Sequence, residues 1–240
     1  MIALSTARAA TPAFFAEAAA ASSLADGAAP VTLTHHLQTI QSYGARQHYS
    51  RNETIFNQGD EAGHVYRIVD GTVRLCRHRP DGRRYVVDFL LPGDVIGFVE
   101  SPDQPVSAEA VTEVSLVAFP RACFDRLARD SAEARKQLLC HMSESLLSAQ
   151  QHLFVLGCQK ATERVASFLL RLAERLDVMS GERMDLFMSR QDIADHLGLT
   201  IETISRSITA LRSGGLILIP NAHQIIIRDL VALRTLAAEG

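Results

Sequence analysis

Gly59-Asp60, Asp70-Gly71, Asp81-Gly82 and Gly93-Asp94 fall within about 35 residues, and no other feature of this 240-residue chain narrows its possible folds as much. Glycine tolerates positive φ and aspartate can cap its own turn, so each pair reverses the backbone at little cost. Between them lie β-branched and aromatic segments: Val65 to Val69, Thr72 to Cys76, Arg84 to Leu91 and Val111 to Phe119. Short strands at hairpin spacing predict a compact antiparallel roll or barrel. The length permits two modest domains, each with its own core.

A different period begins after Arg121. Leu139, Met142, Leu146, Ala149, Leu153 and Leu156 step by 3, 4, 3, 4 and 3 residues, flanked by Arg135, Lys136, Glu144 and Gln150. A narrow apolar seam of this kind suits a two-stranded coiled coil, so these six residues are expected to join two copies into a homodimer. A helix lying on its own domain is the other use of such a stripe.

A third composition starts near Gly157. Thr162 to Leu176 predicts an amphipathic helix with Val165, Phe168, Leu169 and Leu172 on one face, followed by a break at Ser180-Gly181. Ser189 can cap a helix that carries Gln191 and Asp192 in its first turn and runs through Ile193, Ala194 and Leu197 to Gly198. Thr200 can cap a second helix, with Ile204, Ile208 and Leu211 as its apolar face and Gly214-Gly215 as its end. Ala194, Gly198 and Ile204 have the spacing of a helix-turn-helix. Ser207 departs from the apolar residue usual at its place, and Ile208 is expected to fill the core instead. Leu216 to Ile219, a Pro220-Asn221 turn and Gln224 to Ile227 predict a hairpin wing.

The second helix of such a motif enters the major groove. There an arginine can give guanine two hydrogen bonds, a carboxylate can accept from cytosine, and a serine can touch thymine or adenine. Glu202, Ser205 and Arg206 are the expected base readers. A solvated Glu202–Arg206 pair is the plainer reading of the same i,i+4 spacing. Ser189, Arg190, Thr200, Thr203 and Arg212 are expected to meet phosphates.

Composition sets limits on this reading. With 24 Lys+Arg against 27 Asp+Glu, the chain cannot coat nucleic acid by bulk positive charge. Residues 157–240 hold 10 basic and 10 acidic residues, so tight binding is expected to need two half-sites at once. No apolar run reaches membrane-spanning length. Residues 1–30 contain 13 alanines but lack a basic start, and Glu17 and Asp26 interrupt the apolar stretch; a frayed tail, not a signal peptide, is expected. Cys76, Cys123, Cys140 and Cys158 have neither disulfide-framework nor zinc spacing, as in a reduced cytoplasmic protein. No nucleophile elbow, phosphate loop or His-Glu metal motif marks an enzyme, and His35-His36 reads as a solvated pair.

Phe56-x-x-Gly59-Asp60, Val69-x-Gly71-x-Val73, Leu91-Pro92-Gly93-Asp94-x-Ile96-Gly97-Phe98 and Leu199-Thr200-Ile201-Glu202-Thr203-Ile204-Ser205-Arg206 together resemble the CRP/FNR family of bacterial transcription regulators. The resemblance extends from about residue 31 onward. It implies an α+β fold: a cyclic-nucleotide-binding-type β-roll over residues 31–130, a dimerisation helix over 131–157 and a winged helix-turn-helix over 158–240. Glu-x-x-Ser-Arg is similar to the recognition signature of the FNR and FixK branches. Ile201 stands where the CRP branch has arginine. The implied partners are a second copy, an FNR-type DNA palindrome, TTGAT-N4-ATCAA, and RNA polymerase.

The family's cyclic-nucleotide binders hold the phosphate with an Arg-Ser pair and the ribose with Gly-Glu. Here Gly97 precedes Phe98, and Ser107 follows Pro105-Val106, so no cation is offered to a phosphodiester. The FNR iron–sulfur cluster needs N-terminal cysteines, and none precedes Cys76. The haem-based carbon monoxide sensor places its ligands where Val95 to Val99 stand, whereas Cys76-x-His78 lies earlier and reads as structural. No cofactor or metal is therefore expected. What remains resembles the FixK branch: activators of oxygen-limited gene expression without a cluster. A regulator gated by another ligand, a thiol switch at Cys158, and a cyclic-nucleotide-binding regulatory subunit are the alternatives. The wing and second helix speak against the last.

Overall fold

The computed structural model describes residues 44–238. The alanine-rich tail and His35-His36 lie outside the described residues. Eight strands form the roll: β1 (Ala45–Tyr49), β2 (Thr54–Phe56), β3 (His64–Asp70), β4 (Val73–His78), β5 (Arg84–Leu90), β6 (Val95–Ile96), β7 (Ser107–Ala110) and β8 (Val114–Pro120). They pair antiparallel in two four-stranded sheets, ordered β1-β8-β3-β6 and β2-β7-β4-β5. The glycine of each of the four turns has positive φ. Gly71 is needed for space as well, because a Cβ there would stand 2.1 Å from the Glu113 carbonyl. Phe56, Ile68, Val73, Leu90, Ile96, Ala108 and Leu116 fill the space between the sheets.

The strand expected from Val111 starts three residues later. Val111 to Glu113 instead form the β7–β8 turn, pinned by Val111 N–H to the Thr72 carbonyl (2.8 Å) and Thr72 N–H to the Thr112 hydroxyl (2.9 Å).

Helices α1 (Arg121–Asp130), α2 (Ala132–Cys158) and α3 (Ala161–Arg175) follow. The Ser131 hydroxyl starts α2 by accepting from Ala134 N–H at 3.1 Å. Its 27 residues make a rod about 40 Å long. Among the described residues, no helix is long and apolar enough to cross a membrane. Strand β9 (Arg183–Asp185), helices α4 (Arg190–Leu197) and α5 (Ile201–Ser213), strands β10 (Ile217–Asn221) and β11 (Gln224–Ile227), and helix α6 (Leu230–Ala238) complete the order.

Besides the core between its own sheets, the roll shares a second core with the C-terminal half. The outer face of β4 and β5, with Cys76, Val86 and Phe89, joins Phe168, Leu169 and Leu172 of α3, Ile193 and Leu197 of α4, and Ile204 and Ile208 of α5 in one buried cluster. Cys76 is fully enclosed, and burial pushes its thiol up to about 12, so it acts as a small apolar side chain.

Candidate nucleic-acid interface

Capping sets the two helices of the motif. Ser189 and Asp192 close a reciprocal box at the start of α4: the Ser189 hydroxyl accepts from Asp192 N–H at 3.1 Å, and the Asp192 carboxylate accepts from Ser189 N–H at 3.0 Å. Gly198 ends α4 in the left-handed region at φ 63°. Two residues later the Thr200 hydroxyl accepts from Thr203 N–H at 3.2 Å and starts α5. Ile204, Ile208 and Leu211 anchor α5 in the core. Ile208 fills the core as expected, and Ser207 is buried as well.

The outward face of α5 carries Glu202, Ser205 and Arg206, all exposed. Ser205, Arg206, Thr209, Ala210 and Ser213 line one shallow groove along it. Among the described residues no ion pair joins Glu202 to Arg206. The Glu202 carboxyl is nevertheless held below its usual range, first by its own backbone N–H at the helix start, then by the Thr200 hydroxyl, and only lastly by Arg206. Among the described residues Arg206 has no carboxylate partner, and Glu202 remains an acceptor.

Of the five expected phosphate contacts, Ser189, Thr200 and Arg212 are exposed, while Arg190 and Thr203 are half-buried. The hydroxyls of Ser189, Thr200 and Thr203 are engaged in capping contacts. Arg190 has one guanidinium nitrogen buried with no hydrogen-bond partner, and burial lowers its affinity for the proton.

The wing differs from expectation in two ways. Pro220-Asn221 is strand rather than turn, with Asn221 paired to Gln224, so Ala222-His223 make the reversal. Proline is tolerated because β10 is an edge strand. A third strand, β9, pairs with β11. Its signal was present in the alternation of buried Met184, Leu186 and Met188.

Sequence reasoning also missed a charged joint between the roll and α4. Arg74 of β4 reaches Glu109 at 2.7 Å and Asp192 at 3.1 Å; Arg84 of β5 reaches Asp192 at 2.7 Å and Asp195 at 2.8 Å. Burial alone would raise the Asp192 carboxyl, but the Ser189 hydroxyl and then Arg74 more than offset it, and the group stays ionised. Deeper in the joint, His196 of α4 donates from Nδ1 to the Val86 carbonyl at 3.0 Å and stacks on His152 of α2, ring centres 4.2 Å apart. Burial, and then His152, pushes His196 down to about 4, so it is neutral at pH 7. Arg171 of α3 reaches Asp88 at 2.9 Å, and Arg175 reaches Asp94.

Along α2 the expected seam is open. Leu139, Met142, Leu146 and Leu153 are each more than half exposed, Ala149 is exposed and Leu156 is half-buried. Leu147 and Phe154 widen the bare stripe on one side. Cys158, the last residue of α2, is exposed.

Where cyclic-nucleotide binders keep their phosphate site, Ser107 is buried and its hydroxyl accepts from Gln58 N–H at 2.9 Å. Phe56 and Tyr66 stack with ring centres 5.4 Å apart at the side of the roll interior.

Family models agree with this architecture at both ends. Residues 46–131 match the cyclic nucleotide-binding domain, and residues 163–236 match the Crp-like helix-turn-helix domain. The chain belongs to the CRP/FNR family of transcription regulators. Within the family it is similar to the nitrogen fixation regulation protein FixK of Azorhizobium caulinodans, 40% identical over 218 residues that cover 90% of this chain and 88% of that protein. FixK of Rhizobium meliloti is 43% identical across 78% of this chain and 85% of its own length. Among solved structures, FixK2 from Bradyrhizobium japonicum superposes with a TM-score of 0.77 at 36% identity, covering 81% of this chain and 98% of that one. This CRP/FNR member is thus a DNA-binding regulator and not an enzyme.

Proposed function

We propose that this chain is a FixK-type activator of genes used under oxygen limitation, nitrogen fixation among them. It acts in the cytoplasm as a homodimer joined through α2, binds the palindrome TTGAT-N4-ATCAA without a cyclic nucleotide, and works with RNA polymerase. Its working parts are a roll over residues 31–130, a dimer helix over 131–157 and a DNA module over 158–240. The reading is carried by one observation: Glu202, Ser205 and Arg206 lie together on the exposed face of α5, and among the described residues no carboxylate pairs with Arg206. Arg206 reads a guanine, Glu202 a cytosine and Ser205 a neighbouring thymine or adenine. Ser189, Arg190, Thr200, Thr203 and Arg212 fix the register on phosphates.

Independence of cyclic nucleotide is supported by the aliphatic and aromatic filling of the roll and by Ser107, whose hydroxyl already serves Gln58. Selection of sites from random DNA with the purified protein and no added ligand tests the reading. The FNR-type palindrome should emerge, and Arg206→Ala should lose one guanine preference per half-site, about 1–3 kcal/mol. Uniform weakening on every sequence would make Arg206 a phosphate contact. Failure to enrich any site until a ligand is added would sink the ligand-free reading. A redox-gated version rests on exposed Cys158; it predicts that oxidant changes DNA affinity in the wild type and leaves Cys158→Ser unaffected.

A further inference from the structure

The DNA module carries no net charge, yet duplex recognition draws most of its affinity from phosphates. The missing cations stand on the roll. The tip of the β4–β5 hairpin, residues 77–84, holds Arg77, Arg79, Arg83 and Arg84 against one carboxylate, Asp81. Arg84 is committed to Asp192 and Asp195. Arg77 and Arg79 are exposed and, among the described residues, meet no carboxylate. Arg83 is 73% exposed and touches Asp81 only loosely, at 3.7 Å. The tip is held in a fixed shape by Arg79 N–H to the Arg83 carbonyl (2.9 Å) and Gly82 N–H to the Arg79 carbonyl (3.0 Å).

Its position gives these arginines a use. An open cleft of about 530 Å³ has Gly82, Arg83, Arg84 and Tyr85 of the hairpin on one wall, and Gln191 and Asp195 of α4 with Leu199 on the other; its carboxylate, Asp195, is neutralised by Arg84. The first helix of such a motif crosses the DNA backbone while the second enters the groove. The Arg84–Asp192 and Arg84–Asp195 pairs therefore tether a cationic hairpin beside the helix that passes over phosphates.

We propose that the β4–β5 tip is a second DNA contact, in which Arg77, Arg79 and Arg83 of the roll bind phosphates flanking the bases read by α5. It rests on the DNA-binding reading above and adds affinity without sequence information. Each phosphate neutralised contributes about 0.9 to the slope of log affinity against log salt. In a dimer, Arg79→Gln with Arg83→Gln removes four charges and should flatten that slope by roughly 3 to 4, with at least a roughly tenfold loss at 0.1 M salt. The selected sequence and the thermal midpoint should not change. Asp81→Lys should steepen the slope.

The experiment is a salt titration of wild type and both variants on the palindrome and on an unrelated duplex. Unchanged slopes in both variants overturn the proposal. Unchanged binding with lost polymerase-dependent transcription also overturns it, and assigns the tip to a protein partner. If the wild type binds both duplexes equally, the palindrome reading has failed, and the slopes on either duplex still decide the hairpin's role.

Discussion

Helices α2 and α3 are neighbours in sequence with opposite surroundings. Eight of the fifteen residues of α3 are buried, among them Phe168, Leu169 and Leu172, whereas only Ala134 is buried in the 27 residues of α2. Both helices carry apolar residues at helical spacing. The face of α3 is covered by β5 and by the helix-turn-helix core; that of α2, from Leu139 to Leu153, is covered by nothing among the described residues. An apolar stripe therefore says that a helix must be covered, and not by what.

The contrast can be tested at each end. Leu146→Glu should leave a folded monomer in sedimentation with its thermal midpoint nearly unchanged, and should cost palindrome affinity about a hundredfold or more as linked half-sites become independent. A Leu146→Glu dimer would remove the distinction between the two helices. Leu169→Ala should do the reverse: a loss of about 2–5 kcal/mol in denaturant unfolding with oligomeric state preserved, since Leu169 is 1% exposed.

A smaller effect separates the helices by pH. His196 of α4, packed on His152 of α2, has its affinity for protons depressed to about 4 in the fold against an ordinary 6.5. The unfolded chain therefore takes up a proton that the folded chain refuses between those values. Stability contributed by the neutral histidine is complete above pH 6.5 and falls as pH drops toward 4, by up to about a factor of ten in the folding equilibrium per pH unit. His196→Leu should flatten this part of the profile in unfolding titrations; an equally steep profile would place the titration elsewhere.

Local chemistry was readable along the chain. The four glycine turns, the caps at Ser189 and Thr200 and the left-handed Gly198 are decided within a few residues, and the motif's helices follow from them. Strands β1, β2, β6 and β7 were not legible, because Ala45–Tyr49 and Ser107–Ala110 offer little apolar alternation, Val95–Ile96 is only two residues long, and these strands are specified by partners such as β8, β4 and β3. Asp192 was read for its place in the first turn of α4, a role it has. Its pairing with Arg74, 118 residues away, is a matter of tertiary approach that no spacing records. The same holds for the site: Glu202, Ser205 and Arg206 share a helix face and could be named together, while the hairpin arginines come to the motif only through the fold.

Cys76, Val86 and Phe89 of the roll share a core with α3, α4 and α5, and Arg84 is clamped to α4. The boundary at which recombination could exchange DNA-binding specificity between relatives is accordingly not the end of α2. A winged helix moved alone would leave Asp192 without its arginines and Phe168 without its cover. Because β4 and β5 also belong to the roll's own sheet and core, an exchanged module would function only on a roll that still offers Arg74, Arg84 and Phe89 on the outer face of that strand pair.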